Sequence, residues 1–115
     1  ERPLSYEEIL LIRQHSLRSL DIVKDFPFLI PAGRAVLYHH ERYDGAGYPE
    51  GLKGPDIPLV SSMISLAETY ESLINPRPFR RQPATKKEAL EIIRSEAGKQ
   101  LDPAMVGHFL KANPV

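Results

Sequence analysis

Two adjacent histidines, His39 and His40, stand directly before a loop that no helix can continue. The loop carries Gly45, Gly47, Gly51 and Gly54 together with Pro49, Pro55 and Pro58. Each proline removes a backbone donor, and each glycine raises the entropy cost of ordering the chain. Neighbouring helical residues point about 100° apart, so both rings can face one ion only where a helix ends. These residues alone fit either a metal site or a solvated, hydrogen-bonded pair.

Other groups that could bind a metal are spread along the chain. Cysteine is absent, so histidine and carboxylate are the only plausible ligands, and disulfides are excluded. His15 lies beside an apolar stripe of the first predicted helix, where it fits a helix-surface position or an interior ligand. Glu68 and Glu71 lie three residues apart on one side of a later helix. Glu68 adjoins the apolar stripe of that helix, and an acid beside a buried face needs a partner.

Composition limits the classes of function. The length of 115 residues with 42% hydrophobic content predicts a single domain over residues 1–115 with a small core. Fifteen basic residues balance fifteen acidic ones, so no global field attracts DNA or an anionic membrane. The sequence shows neither a long apolar run nor a signal peptide, which predicts a cytoplasmic protein without a membrane span.

About five helices must position these groups. Capping boxes at Ser5 and Thr85 predict two helix starts, and Asp102 followed by proline predicts a third. Apolar spacing predicts a first helix from about residue 6 to 23, a second from about 31 to the histidines, and a third from about 58 to 74. In the third helix, the predicted core face consists of Val60, Met63, Ile64, Ala67, Tyr70, Leu73 and Ile74. Strand alternation is absent, so the predicted fold is all-α.

The loop and its histidines resemble a known signature. The residues His39, His40, Glu41, Asp44, Gly45, Gly47, Tyr48 and Pro49 match, without a gap, the pattern of the HD-GYP family. That family comprises bacterial relatives of the HD metal-dependent phosphohydrolases. The segments 67–73, 77–80 and 98–103 resemble three further motifs of the same family. The resemblance covers nearly the whole chain and implies a helical bundle of HD-domain type with a glycine- and proline-rich loop.

The resemblance also implies a site. Its metal ligands fall on His15, His39, His40 and Glu68, and two or more iron or manganese ions are implied for the complete domain. Substrate contacts fall on Tyr48, Arg77 and Arg80, where planar guanidinium groups suit phosphate oxygens. Glu41, Asp44 and Glu71 are interpreted as groups that orient ligands or fix the loop. His108 corresponds to no ligand of the family and is interpreted as an ordinary helix residue.

The implied activity is hydrolysis of the bacterial second messenger cyclic di-GMP. Two departures bear on it: no His-Asp dipeptide occurs in the sequence, and Glu68 replaces an aspartate of the family pattern. The segment is therefore interpreted as lacking the N-terminal helices of the full domain and as inactive alone. A degenerate, non-catalytic module that binds proteins or a cyclic dinucleotide remains the alternative.

The resemblance and the apolar helices also bear on partners. Diguanylate cyclase, sensor and receiver domains are the expected partners of such a domain. The first and third helices carry apolar faces that the missing helices would cover. Exposed faces of that kind favour association, so a homodimer or a domain-swapped assembly is predicted.

Overall fold

The computed structural model describes residues 5–75 and 82–114. Some side chains of the first helix lie outside the described part, namely Ile9, Ile12, Arg13, His15, Ser16, Ser19, Leu20, Ile22 and Val23. Five α-helices follow in order: α1 (Tyr6–Val23), α2 (Ile30–Leu37), α3 (Leu59–Ile74), α4 (Lys86–Glu96) and α5 (Pro103–Ala112). Short 3-10 turns precede α2 at Pro27–Leu29 and α3 at Gly54–Asp56. The described residues form no β-strand, so the all-α prediction is confirmed.

The helix starts lie where the sequence predicts them. The Ser5 hydroxyl accepts from the Glu8 amide, and the Glu8 carboxylate accepts from the Ser5 amide. Thr85 and Glu88 form the same reciprocal pair at α4. These side chains satisfy amides that have no partner within the first turn of a helix.

The hydrophobic core lies between α3, α4 and α5. Its buried residues are Leu66, Leu73, Ala89, Ile93, Leu101 and Val106. Tyr70 of α3 meets Phe109 of α5 edge to face, with ring centroids 5.1 Å apart. This three-helix core holds α3 from one side and leaves its other side for α2.

A polar contact joins α2 to α3. Ser61 is fully buried, and its hydroxyl donates to the Ala35 carbonyl at 2.8 Å. On α2, Ala35 is a small residue and is itself buried. Small residues let two helix backbones approach closely, and the bond satisfies a hydroxyl that burial would otherwise penalise. The end of α2, and the histidines that follow it, are thereby placed beside α3.

The predicted core face of α3 is wrong at its N-terminal end. Leu73 is buried as predicted, but Val60 and Met63 are 54% and 51% exposed, and Ala67 is also exposed. Two serines, Ser61 and Ser65, are buried in their place. Ser61 is buried because its hydroxyl donates to the Ala35 carbonyl of α2, so this part of the contact between the two helices is polar rather than aliphatic.

Exposed apolar side chains are present on both helices for which the sequence predicts them. They are Leu10, Leu11 and Leu17 on α1, and Leu59, Val60 and Met63 on α3. Within the described ranges, none of the helices is both long enough and apolar enough to span a lipid bilayer.

Candidate metal centre

The loop after α2 is organised around a buried carboxylate. Glu41 is only 3% exposed. One of its oxygens accepts from the amides of Glu50 and Gly51 at 2.7 and 3.0 Å, and the other accepts from the Leu52 amide at 2.6 Å. Hydrogen bonds to an ionised acceptor are shorter and stronger than neutral ones. Glu41 therefore ties the far end of the loop to the residues that directly follow the histidines.

Close backbone packing requires glycine at position 47. A Cβ atom there would lie 2.5 Å from the Arg42 amide nitrogen and 2.6 Å from the His40 carbonyl oxygen. Both neighbours are main-chain atoms, so a side-chain movement could not relieve the clash. The Tyr48 amide next to it donates to the same His40 carbonyl. The loop thus folds back directly over the histidine pair.

A second carboxylate stabilises the start of the loop. Asp44 accepts from the Arg42 guanidinium at 2.9 Å and from the Ala46 amide at 3.0 Å. The Arg42 guanidinium, followed by the Ala46 amide, lowers the pKa of this carboxyl to about 2. Asp44 stays ionised at neutral pH, and its bonds are local to the turn.

The hydrogen bonds of His39 fix its tautomer. Its Nδ1 contacts the Val36 carbonyl oxygen, which can only accept, so Nδ1 carries the hydrogen. In the neutral ring Nε2 then carries the lone pair, and this nitrogen lies 3.3 Å from Oε2 of Glu68. A lone pair facing a carboxylate oxygen is favourable only with a positive charge between them. The geometry therefore suits a cation, either a proton or a metal ion.

His40 lies against His39 and Tyr48. The two imidazoles are 3.9 Å apart between centroids, and the Tyr48 ring stacks on His40 at 5.1 Å. Burial, followed by the charge of His39, lowers the pKa of His40, while Glu68 acts in the opposite direction. A lowered pKa keeps this imidazole neutral, which is the form that binds metals. Burial and the charge of Glu68 raise the pKa of the Tyr48 hydroxyl, so it remains a hydrogen-bond donor at neutral pH.

Glu68 completes the cluster from α3. Ligand atoms of His39, His40 and Glu68 all lie within 4.8 Å of one another. Among the described residues, this is the cluster of histidine and carboxylate groups that could bind a metal ion. The Glu68 side chain is 60% exposed, whereas that of His39 is 13% exposed. Two imidazole nitrogens and one carboxylate oxygen fit iron, manganese or zinc, and the donor set leaves positions open for water or substrate. The residues present therefore fit a divalent metal.

The cluster opens into a cleft of about 480 Å³. The cleft is also lined by Glu41, Arg42, Tyr48, Ser65, Thr69, Glu71, Ser72 and Gln100. Sequence reasoning assigned no role to Ser65, Thr69, Ser72 or Gln100. The signal for three of them was their place inside motifs, since Thr69 and Ser72 lie in the segment 67–73 and Gln100 lies in the segment 98–103.

Several predicted site residues lie outside this cluster or outside the described residues. His15 is on α1, but its side chain is not among those described, and Arg77 and Arg80 belong to the undescribed segment 76–81. Glu71 lines the cleft, and its carboxylate accepts from the Asn75 amide group at 3.2 Å. His108 lies on α5 beside a separate apolar groove with Met63 and Phe109. The structure thus brings three of the four predicted ligands together, and the side chain of the fourth lies outside the described residues.

Comparison with known proteins shows which sequences this chain is similar to. Residues 1–105 match the profile of the HD domain. A cyclic di-GMP phosphodiesterase of Thermotoga maritima is 34% identical over 94% of this chain and 30% of its own length. A cyclic di-GMP phosphodiesterase response regulator of Xanthomonas campestris pv. campestris is 30% identical over 94% of this chain and 29% of its own length. A 3'3'-cGAMP-specific phosphodiesterase of Vibrio cholerae is 35% identical over 81% of this chain and 21% of its own length.

A solved structure shows the same fold. The crystal structure of a cyclic GMP-AMP specific phosphodiesterase of Vibrio cholerae superposes with a TM-score of 0.72 at 25% identity, covering 97% of this chain and 30% of that one. The chain therefore spans less than a third of the length of these relatives.

Proposed function

Because the chain belongs to the HD domain family, in its HD-GYP branch, we propose that it forms part of a metal-dependent phosphodiesterase site for cyclic dinucleotides. Cyclic di-GMP is the proposed substrate, since the relatives from Thermotoga maritima and Xanthomonas campestris are named for its hydrolysis. The relatives span more than three times the matched length, so the proposal concerns the whole protein that contains these residues.

The convergence of His39, His40 and Glu68 is the observation that carries the proposal. Iron or manganese is the proposed metal, because imidazole and carboxylate suit these ions without any thiolate. Such an ion, when bound, lowers the pKa of a coordinated water and neutralises charge on the attacked phosphate. His39 presents Nε2, whose lone pair is set by the Nδ1 contact with Val36. Glu68 supplies the negative charge that makes the pocket selective for cations.

Other residues of the cleft would bind the substrate. Tyr48 remains protonated and lines the cleft beside His40, so its hydroxyl can donate to a substrate oxygen. Arg42 also lines the cleft, but its charge is paired with Asp44 at 2.9 Å. Arg77 and Arg80 are the proposed phosphate contacts, and His15 is the proposed fourth ligand of this chain.

Hydrolysis by the full-length protein tests the proposal. With Mn²⁺ or Fe²⁺ present, cyclic di-GMP should be converted to the linear dinucleotide or to GMP, measured by chromatography. His39→Ala and Glu68→Gln should each lower kcat/KM by at least about a hundredfold, since a ligand is lost. His108→Ala is the matched control, because His108 lies away from the cluster, and it should retain activity. Unchanged turnover in Glu68→Gln, or full activity in excess chelator, would contradict the proposal.

A non-catalytic signalling module is the second candidate. It is favoured by one observation, the glutamate at position 68, whose side chain is largely exposed and whose arm is one methylene longer than that of aspartate. Elemental analysis of the purified full-length protein separates the two functions. Stoichiometric iron or manganese supports the hydrolase, whereas its absence together with cyclic dinucleotide binding supports the module.

The exposed apolar faces of α1 and α3 support a proposal about association. Leu11, Leu17 and Met63 are at least half exposed, and apolar surfaces of this kind commonly mediate protein contacts. A second copy of this chain is the proposed partner. Sedimentation of the 115-residue chain at high micromolar concentration should show a dimer, and a monomer at that concentration would contradict this proposal.

A further inference from the structure

The two halves of the metal cluster come from separate segments that must be held at a fixed distance. His39 and His40 belong to the loop after α2, whereas Glu68 belongs to α3. Between His39 and Glu68 the side chains share one contact of 3.3 Å, and the Glu68 side chain is mostly exposed. An exposed glutamate has many rotamers, so this contact alone cannot define the distance between the loop and the helix. The bond between Ser61 and Ala35 places the end of α2 beside the first turns of α3, so a further contact nearer to Glu68 is needed to fix the loop against this part of the helix.

Gln100 makes contacts to both segments. Its backbone carbonyl accepts from the Tyr43 amide at 3.2 Å, and the neighbouring Lys99 carbonyl accepts from the Asp44 amide at 2.8 Å. Its side-chain Nε2 donates to the Thr69 hydroxyl at 3.2 Å, and Thr69 directly follows Glu68. Gln100 thus contacts the histidine loop through its main chain and the Glu68 helix through its side chain.

The orientation of the Gln100 amide follows from Thr69. The Thr69 hydroxyl donates its single hydrogen to the Ser65 carbonyl at 2.8 Å, so its oxygen can only accept from Gln100. Gln100 must therefore present its nitrogen, not its oxygen, to α3. A carboxylate at position 100 could only accept a hydrogen bond, and it would face the Thr69 oxygen, which here also acts as an acceptor. The contact is specific for an amide of this length.

We propose that Gln100, acting through Thr69, is a positioning residue that sets the distance between the His39–His40 pair and Glu68. This inference rests on the proposed metal site and deepens it by naming the residue that assembles its two halves. Gln100 lines the same cleft and lies 31 residues from Thr69 in sequence, so the bond closes the site across the fold. Residues that orient metal ligands commonly affect metal affinity by about ten- to a hundredfold.

The first test uses the metal-free protein, so it does not depend on the proposed function. In the isotope-labelled chain, the His39 ring and the Glu68 side chain should show a nuclear Overhauser effect, as their 3.3 Å contact requires. Gln100→Leu and Thr69→Val should each weaken this effect by more than half. Ser95→Ala removes a comparable hydroxyl bond to a backbone carbonyl on α4 and should leave it unchanged. Retention of the full effect in both variants would overturn the inference.

The second test measures Mn²⁺ affinity by calorimetry in the full-length protein. Gln100→Leu and Thr69→Val should each weaken binding about tenfold, and the double variant should be no weaker than either single one, because both remove the same contact. Gln100→Glu should bind Mn²⁺ as weakly as Gln100→Leu, because a carboxylate cannot donate to the Thr69 hydroxyl oxygen. Additive losses in the double variant would overturn the inference. If wild type binds no Mn²⁺ while the metal-free result holds, the proposed function fails and the positioning role stands.

Discussion

Two glutamates near the histidine pair differ in almost every physical respect. Glu41 is buried and accepts three backbone hydrogen bonds, whereas the Glu68 side chain is 60% exposed and faces an imidazole nitrogen. The oxygens of Glu41 are occupied by the loop itself, so they are not available to a metal. Oε2 of Glu68 lies 3.3 Å from Nε2 of His39, a distance that is favourable only with a cation between the two atoms. The groups that the carboxylate oxygens contact thus distinguish a structural carboxylate from one that can bind a metal ion.

The largest expected effect on stability is at Glu41. Glu41→Gln replaces an ionised acceptor with an amide, which weakens three bonds and directs an N–H group at backbone donors. We expect the free energy of unfolding to fall by about 3 kcal/mol, because hydrogen bonds to charged groups are strong and stranded buried donors are costly. Urea denaturation of wild type and variant measures the loss. A change below about 0.5 kcal/mol would contradict the role assigned to this carboxylate.

Gly47→Ala should have the next largest effect. The new methyl group would meet main-chain atoms at 2.5 and 2.6 Å, which forces the loop away from the histidines. Overpacking of this kind costs about 2 kcal/mol. Gly107→Ala on α5 is the matched control, since nothing lies within 4 Å of its added carbon, and alanine favours a helix interior. Thermal unfolding should therefore show a lower Tm for the first variant and an equal or higher Tm for the second.

Glu68→Gln makes the same chemical change as Glu41→Gln and should affect stability far less. The side chain is mostly exposed, so the free energy of unfolding should change by no more than about 0.5 kcal/mol. Mn²⁺ affinity in the full-length protein should fall by at least about tenfold, because a ligand charge is removed. Calorimetry and urea denaturation on the same preparation separate these effects. A large loss of stability with intact Mn²⁺ affinity would show that Glu68, like Glu41, is a structural carboxylate and not a metal ligand.

Asp44 provides the smallest and most pH-dependent effect. Its pKa in the folded protein is about 2, below the ordinary value of 3.8, chiefly because Arg42 donates to it. A lowered pKa contributes stability above pH 3.8 that is lost as pH falls toward 2. Wild type should be more stable than Asp44→Asn at pH 6, and the two should converge near pH 2. A difference that is independent of pH would show that the charge of Asp44 contributes nothing.

The sequence predicted helix starts well because caps are local. Ser5 and Thr85 identify their helices through residues three positions away, and these contacts are present in the structure. The N-terminal half of α3 was predicted poorly, because hydrophobic periodicity counts Ser61 as solvent-facing. Its hydroxyl instead donates to Ala35, 26 residues away. A buried serine with a distant partner leaves no periodic signal in the sequence.

The candidate site shows the same division. His39, His40 and Glu68 could be predicted from a family pattern, and they lie together in the structure. The contact of Gln100 with Thr69 could not be predicted, since it depends on how the segment after α4 packs against α3. The sequence shows which ligand types are present, whereas their spacing depends on tertiary hydrogen bonds.

Anomalous diffraction from a crystal of the full-length protein soaked in Mn²⁺ tests the metal site most directly. Data collected at the manganese edge should show a peak in direct contact with His39 Nε2, an imidazole nitrogen of His40 and a Glu68 oxygen. Glu68→Gln crystals should show a weaker peak or none. A peak elsewhere, or an empty cluster at saturating Mn²⁺, would contradict the account.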